Sequence, residues 1–153
     1  MSAEDRLAIL EQIARYSYAA DERDADGLAA LFTDEGIIER WLIGSEAPDE
    51  QVQGTAALRS WAQGHYDARP EGVQTRHHER ATVFDELANN GARTRTMLLL
   101  TRIGPGDRFP VTTGSGVYHD EWLRTTKTCT PRWFFSIMVV SLSLVLIILR
   151  IQD

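Results

Sequence analysis

The chain has little cysteine and little positive charge. Cys129 is the one cysteine among 153 residues, which excludes an intramolecular disulfide framework and a cysteine-rich zinc site. We therefore expect a reducing, cytoplasmic location. Sixteen Lys and Arg against 22 Asp and Glu give a formal net charge of −6, the wrong sign for following a phosphate backbone. Nucleic acid is not an expected partner.

We expect no secretory segment at the start of the chain, and we find no internal repeats or low-complexity tracts. Residues 1–21 mix charged side chains into the apolar ones, which excludes the uncharged core of a signal peptide. The length, with 43% hydrophobic and 25% charged residues, is typical of one globular domain. We expect that single domain to span residues 1–142.

One long uncharged run stands out near the end, over residues 133–149 (WFFSIMVVSLSLVLIIL). Its length approaches the lower limit for crossing a bilayer, so a membrane anchor is one interpretation. Three serines interrupt the run and Val and Ile are abundant in it, which favours a long buried β-strand. We expect a last strand from Trp133 onward, with residues 143–153 as an apolar C-terminal extension of it.

The first half of the chain has the spacing of helices. Apolar residues recur at steps of three and four up to about residue 21, with Ser2 or Asp5 available to cap the start. A second, short helix carries Leu28, Leu31 and Phe32 and ends before residue 33. A third helix is predicted over about residues 55–66, after a β-rich segment (36–43) and a polar loop (44–53).

Beyond Pro70 the apolar period changes from 3.6 to 2, and three strands are predicted over residues 73–84, 92–103 and 111–125. The turn sequences Asn89–Gly91 and Gly104–Asp107 suit reversals between antiparallel neighbours. Helices followed by strands predict an α+β fold, in which three N-terminal helices pack on the concave face of a curved antiparallel sheet.

Asp21 is the most informative single residue. On a helix it lies two turns after Ala14, in line with a predicted buried stripe that also includes Leu7, Leu10 and Tyr18. An inward carboxylate must be hydrogen-bonded or charge-paired, and its pKa can be tuned for proton transfer. The alternative is an ordinary exposed Asp at a helix end.

Three histidines are candidates for the same interior. His77 and His78 face opposite sides of a strand, and His77 faces inward if Ala81 and Val83 do. Otherwise the two lie at the rim of the sheet. His119 shares a predicted face with Val117 and enters the cavity, or it is a partly buried residue bonded to the backbone.

Other apparent motifs carry no chemistry. Residues 113–116 (TGSG) precede a strand rather than a helix and lack the spacing of a nucleophile elbow. Cys129 has no arranged base nearby. Asp21, His77 and His119 could imitate a two-His, one-carboxylate metal site, but they come from three distant elements. We expect neither a metal nor a cofactor.

Five short motifs together resemble the SnoaL-like and scytalone dehydratase-like branch of the nuclear-transport-factor-2-like superfamily. They span about residues 4–142 and are Tyr18–Asp24 (YAADERD), Gly27–Asp34 (GLAALFTD), Gly54–Leu58 (GTAAL), Arg76–His78 (RHH) and Gly116–Trp122 (GVYHDEW). The resemblance implies a cone-shaped α+β fold around a deep apolar pocket, and a dimer formed through the outer face of the sheet.

The resemblance also implies site residues. Asp21 and His77 match an Asp–His pair that binds a water and transfers protons in dehydration, and His119 matches a pocket-lining position. The chain departs from the family pattern at three places. Ala20 stands where the pattern has a tyrosine beside the aspartate, and the strand that carries a second catalytic histidine has Met97–Leu100 here, without a histidine. Residues 143–153 run past the usual end of the last strand.

We therefore predict a small lyase or isomerase, dehydratase-like, in which Asp21 and His77 act as a general acid–base pair on a small apolar cyclic carbonyl compound. A binding module that holds such a ligand without turnover is the alternative, and a purely structural homodimer is a third. Residues expected to bind the substrate are Tyr18, Trp41, Trp61, Met97, Leu99, Val117 and His119.

Overall fold

The computed structural model describes residues 1–124 and the backbone of residues 136–140. Three helices precede most of a six-stranded sheet. The elements are α1 (Ala3–Glu22), α2 (Ala25–Ala30), β1 (Ile37–Trp41), β2 (Glu50–Gln53), α3 (Thr55–Asp67), β3 (Gln74–Leu87), β4 (Gly91–Ile103), β5 (Val111–Leu123) and β6 (Ser136–Val140).

The strands form one open sheet in the order β2-β1-β6-β5-β4-β3. Every neighbouring pair is antiparallel except β1 and β6, which run parallel. The predicted α+β class is confirmed. Two details differ from the prediction. The sheet contains that one parallel pair. Part of the expected 44–53 loop forms β2, because this segment pairs with β1 in an antiparallel ladder in which Ile38 lies opposite Val52. The predictions for Trp133 and for residues 143–153 lie outside the described residues.

Helix α1 begins as the sequence predicts but buries a different stripe. Ser2 and Asp5 form a reciprocal capping box at its start. The expected stripe is wrong, since Leu7 and Tyr18 are 66% and 68% exposed. Helix α1 carries two apolar stripes at helical spacing, and the one that packs into the core with the sheet is Ile9, Ile13, Tyr16 and Ala20.

The core lies between the helices and one face of the sheet. It takes Leu28 from α2, Leu58 from α3, and Tyr118 and Trp122 from β5, all at most 2% exposed. Burial of such large side chains stabilises a fold by roughly 1.5–3 kcal/mol each. Within the described residues, no helix combines the length and the apolar character needed to span a membrane.

A bulge in β3 decides which residues face the helices. The register with β4 shifts between Arg80 and Val83, and Ala81 adopts a positive φ of 54°. A bulge adds one residue to one strand and so reverses the alternation of faces beyond it. The expectation that His77, Ala81 and Val83 share a face is therefore wrong: His77 is inward, whereas Val83 is 47% exposed.

Candidate active site

Asp21 and His77 form a buried hydrogen-bonded pair. Asp21 lies in the last turn of α1 and is 8% exposed. Its Oδ1 accepts a hydrogen bond from His77 Nδ1 at 2.7 Å and one from Thr75 Oγ1 at 2.9 Å. Its Oδ2 accepts from the His77 backbone N–H at 2.9 Å. Three donors from the start of β3 therefore hold this carboxylate in one orientation.

The end of α1 is itself tied to the segment that leads into β3. Arg23, in the left-handed conformation that ends the helix, donates from its guanidinium to the carbonyls of Pro70 and Val73, each at 3.1 Å. Gln74 Nε2 donates to the carbonyl of Asp21 at 3.1 Å. These contacts hold the end of the helix against the strand. The Asp21 carboxylate therefore lies next to Thr75 and His77 near the start of β3.

The surroundings of Asp21 favour its charged form. Burial by itself would raise the pKa of this carboxyl, but the hydrogen bonds from the His77 ring, the His77 backbone and Thr75 outweigh burial, and the pKa lies below its ordinary value. A neutral imidazole that donates from Nδ1 carries its lone pair on Nε2. Asp21 thus orients His77 as a proton acceptor at Nε2.

A cleft of about 470 Å³ opens beside this pair. Its lining within the described part of the chain is largely polar, in contrast to the deep apolar pocket that the family resemblance implies. The lining residues are Ser17, Tyr18, Asp21, Glu22, Gln74, Arg76 and His77. The Tyr16 ring packs edge-on against the His77 imidazole, with the two ring centroids 6.0 Å apart, and closes the inner side of the imidazole. The His77 side chain is 13% exposed and can be reached from the cleft.

Most of the other predicted site residues lie elsewhere. Tyr18 does line the cleft. Trp41 and Trp61 are half-buried, and their indole N–H groups donate to Glu39 and Glu50 rather than facing His77. The expectation that these two tryptophans line the cleft is corrected accordingly.

The predicted face of β4 is reversed. Met97 and Leu99 are 62% and 41% exposed, whereas Leu98 between them is buried. Side chains on a strand alternate between faces, so Met97 and Leu99 lie on the outer face of the sheet, away from the helices. They do not line the cleft.

The same reversal applies to β5. Tyr118, Asp120 and Trp122 are buried, which places Val117 and His119 on the outer face, with His119 exposed. The expectation that His119 enters the cavity is therefore wrong. His78 also points away from His77, and its Nε2 lies 3.0 Å from Thr101 Oγ1.

Sequence reasoning missed two acids on the inner face, the buried Asp120 and the half-buried Glu79, whose carboxyl oxygens are shielded from solvent. Asp120 is 2% exposed, its Oδ2 accepts from Thr94 Oγ1 at 3.0 Å, and burial raises its pKa to about 7. The signal was present in β5, because Asp120 alternates in phase with the two large aromatic residues Tyr118 and Trp122. Within residues 1–124, no group of three or more His, Cys, Asp and Glu side chains is placed to hold a metal ion.

Helices packed on one face of an open, bulged sheet, with an Asp–His pair where α1 meets β3, define a cystatin-like α+β fold of the nuclear-transport-factor-2-like type. The chain belongs to the SnoaL-like domain family, whose sequence profile matches residues 1–139. No curated protein matches it in sequence.

Solved structures share the fold at low sequence identity. A variant of Rv3472 of Mycobacterium tuberculosis, a protein of unknown function, is 24% identical with a TM-score of 0.72, covering 92% of this chain and 73% of its own. A putative scytalone dehydratase of Novosphingobium aromaticivorans is 22% identical with a TM-score of 0.69, covering 90% and 84%. ActVI-ORFA of Streptomyces coelicolor is 16% identical with a TM-score of 0.74, covering 91% and 98%.

Proposed function

We propose that the protein is a lyase or isomerase of the dehydratase type, acting on a small cyclic carbonyl compound through the Asp21–His77 pair. The observation that carries this proposal is the 2.7 Å hydrogen bond from His77 Nδ1 to a buried carboxylate at the wall of a cleft. A base oriented by a carboxylate and reachable by substrate is the arrangement that proton abstraction next to a carbonyl requires. The similarity in fold to a putative scytalone dehydratase, and membership of the SnoaL-like family, support the same reaction class.

In this mechanism His77 Nε2 removes the proton on the carbon beside the carbonyl, and the C–H electron pair forms the enol double bond. Asp21 stays ionised and stabilises the imidazolium. When the carbonyl re-forms, the C–O bond at the next carbon breaks, and the imidazolium returns the proton to the departing hydroxyl as water. Return of the proton to another carbon gives isomerisation. General acid–base catalysis of this kind contributes about 10²–10⁴-fold.

The direct test is turnover of a panel of cyclic β-hydroxy ketones, followed by the near-ultraviolet absorbance of the conjugated enone product. We expect the full-length protein to convert at least one member, and His77→Ala to lose that conversion. His78→Ala is the matched control, because this neighbouring histidine faces the other side of the strand and should keep full activity. Equal activity of both variants would contradict the proposal.

The alternative is a binding module that uses the same cleft without turnover. Its support is the polar lining, since a ligand can be held by Gln74, Arg76 and Tyr18 without any proton transfer. The panel separates the two functions: a binding module shifts the thermal unfolding midpoint when a ketone is present and forms no enone.

We also propose that the protein is a homodimer formed through the outer face of the sheet. Met97, Leu99 and Val83 expose apolar side chains there. Exposed apolar clusters of this kind mark association surfaces.

The double substitution Met97→Glu with Leu99→Glu should halve the mass measured by light scattering coupled to size exclusion. Leu7→Glu, at an equally exposed site on α1, is the control that should leave the dimer intact. A monomeric unsubstituted protein at micromolar concentration would refute the dimer.

A further inference from the structure

Arg76 lies between the two β3 residues that hold Asp21. Thr75 Oγ1 and the His77 backbone N–H both donate to the Asp21 carboxylate, so the backbone that carries Arg76 is fixed on either side. Strand β3 is at one end of the sheet, so no further strand covers this edge among the described residues. The Arg76 side chain is exposed and lines the cleft beside His77. Its guanidinium is therefore within reach of a molecule bound in the cleft.

The guanidinium of Arg76 is tethered but only partly used. Its Nη1 donates to the Thr75 carbonyl at 2.7 Å. Arginines elsewhere on the sheet, such as Arg40, Arg93 and Arg95, each form an ion pair with a carboxylate, and Arg76 forms none with a described residue. A guanidinium carries five N–H donors in a planar fork. Most of the donors of Arg76 are thus available to a ligand.

The other polar groups of the cleft leave this cation uncompensated. The Asp21 carboxylate already accepts three hydrogen bonds, and Gln74 Nε2 donates to the backbone carbonyls of Asp21 and Thr75. Glu22 is exposed on α1, on the opposite side of the cleft, and is not ion-paired with Arg76. Arg76 is the one permanently charged cation among the described lining residues. An anionic group of a ligand would therefore bind at Arg76.

We propose that Arg76 determines the specificity of the cleft by binding a carboxylate of the substrate, so that the substrate is a small cyclic carbonyl acid. The proposal rests on the proposed function in that it names a substituent carried by the same substrate. The guanidinium fork matches the two oxygens of a carboxylate, and such charge-assisted pairs are roughly twice as strong as neutral hydrogen bonds.

Binding at Arg76 also positions the reacting part of the substrate. Consecutive Cα atoms are about 3.8 Å apart, so one small ring can contact both Arg76 and the neighbouring His77. A carboxylate held by the guanidinium anchors one end of the ring and leaves its C–H bond to His77 Nε2. No bond forms or breaks at Arg76, which acts by binding and orientation alone.

The test uses two ketone probes that differ in charge and hardly in shape, 3-acetyl-5-fluorobenzoate and 3-acetyl-5-fluorobenzamide. Fluorine NMR titration at about pH 8, where the acid is ionised, measures both dissociation constants. The dissociation constant of the amide divided by that of the acid is the carboxylate preference. We expect the unsubstituted protein to bind the acid more tightly, and Arg76→Gln to lower the preference about tenfold. Arg80→Gln, which removes an exposed arginine of the same strand outside the cleft lining, is the matched control and should leave the preference unchanged.

Two further variants distinguish ligand binding from a structural effect. Arg76→Lys keeps the positive charge but loses the planar fork, so the preference should fall only about threefold. Glu22→Gln removes a negative charge from the same cleft and should raise the preference about twofold, because the ligand carboxylate is no longer repelled. A loss of fold would weaken both probes alike and would not change the preference in opposite directions.

Salt gives a second readout, since Arg76 is exposed and its attraction for an anion is screened. Raising sodium chloride from about 50 to about 500 mM should lower the preference of the unsubstituted protein and hardly change that of Arg76→Gln. A preference that Arg76→Gln leaves intact, tighter binding of the amide than of the acid by the unsubstituted protein, or no detectable binding of the acid would each overturn the proposal.

The result is separable from the proposed function. His77→Ala should abolish turnover and keep the carboxylate preference within about threefold, because the imidazole is not the group that binds the carboxylate. On a carbonyl acid that the protein converts, Arg76→Gln should chiefly raise KM, as expected for a lost binding contact. If His77→Ala keeps its turnover while Arg76→Gln loses the preference, the proposed function fails and the Arg76 site stands. If turnover depends on His77 and the preference does not depend on Arg76, the reverse holds.

Discussion

Asp21→Asn is expected to lower kcat/KM by about 10²–10⁴-fold, close to the loss expected for His77→Ala. The carboxylate accepts hydrogen bonds from the His77 ring, the His77 backbone and Thr75. An Asn side chain has one carbonyl oxygen and one NH₂ group, so at least one of these donors would face another donor. The imidazole can relieve that conflict by adopting the other tautomer, which puts the proton on Nε2 and removes the base.

The double variant should be hardly worse than either single one, because groups that act as one unit give strongly non-additive losses. Rates are to be measured on whichever ketone the unsubstituted protein converts, with far-ultraviolet circular dichroism to show that each variant is folded. Asp26→Asn removes an exposed, ion-paired aspartate and is the control that should keep full activity. Two additive losses would show that Asp21 and His77 act separately.

The order of elements was predictable because its signals are local. The capping box at Ser2, the reversal at Asn89–Gly91 and the change of apolar period after Pro70 each depend on a few neighbouring residues. The parallel pairing of β1 with β6 was not predictable in this way, since it joins segments about a hundred residues apart. Short β2 was missed because a polar segment gains its strand conformation from pairing with β1.

The choice of face was the less predictable step. Helix α1 and strand β5 each carry apolar residues on both sides, so the sequence alone does not show which side is buried. In α1, packing buries Tyr16 and leaves Tyr18 exposed. In β5, it buries Tyr118 and places Val117 on the outer face. The alternation of side chains between the two faces of β3 is also interrupted at the bulge around Ala81, which no pattern in the sequence predicted. The inward positions of Asp21 and His77 followed from the family resemblance, while the periodicity offered in their support selected the wrong stripe.

Interior acids were missed for a related reason. Glu79 and Asp120 are charged residues in a strand, and the usual assignment for such residues is the solvent face. Their burial becomes visible only when the partner elements are in place. In both cases the phase was available in principle, since Glu79 is two residues from His77 and Asp120 lies between Tyr118 and Trp122.

The free energy of unfolding is expected to fall as pH rises from about 5 to 9, because of these two acids. Burial raises the pKa of Glu79 to about 8 and that of Asp120 to about 7. In the unfolded chain both groups lose their protons near pH 4. Between those values the folded state holds protons that the unfolded state has released, so each pH unit lowers stability by up to about 1.4 kcal/mol per group. The contribution is complete below pH 4 and lost above pH 8.

Glu79→Gln should remove the part of this slope that extends to about pH 8 and raise the stability at pH 9 by roughly 2–4 kcal/mol, because the amide has no proton to lose. Asp21 works in the opposite direction: its lowered pKa stabilises the fold above pH 4, and that contribution is lost in acid. Urea unfolding followed by tryptophan fluorescence at each pH measures the effect, with Glu86→Gln as the exposed control. A slope that is unchanged in Glu79→Gln would show that Glu79 is already ionised in the folded protein at neutral pH.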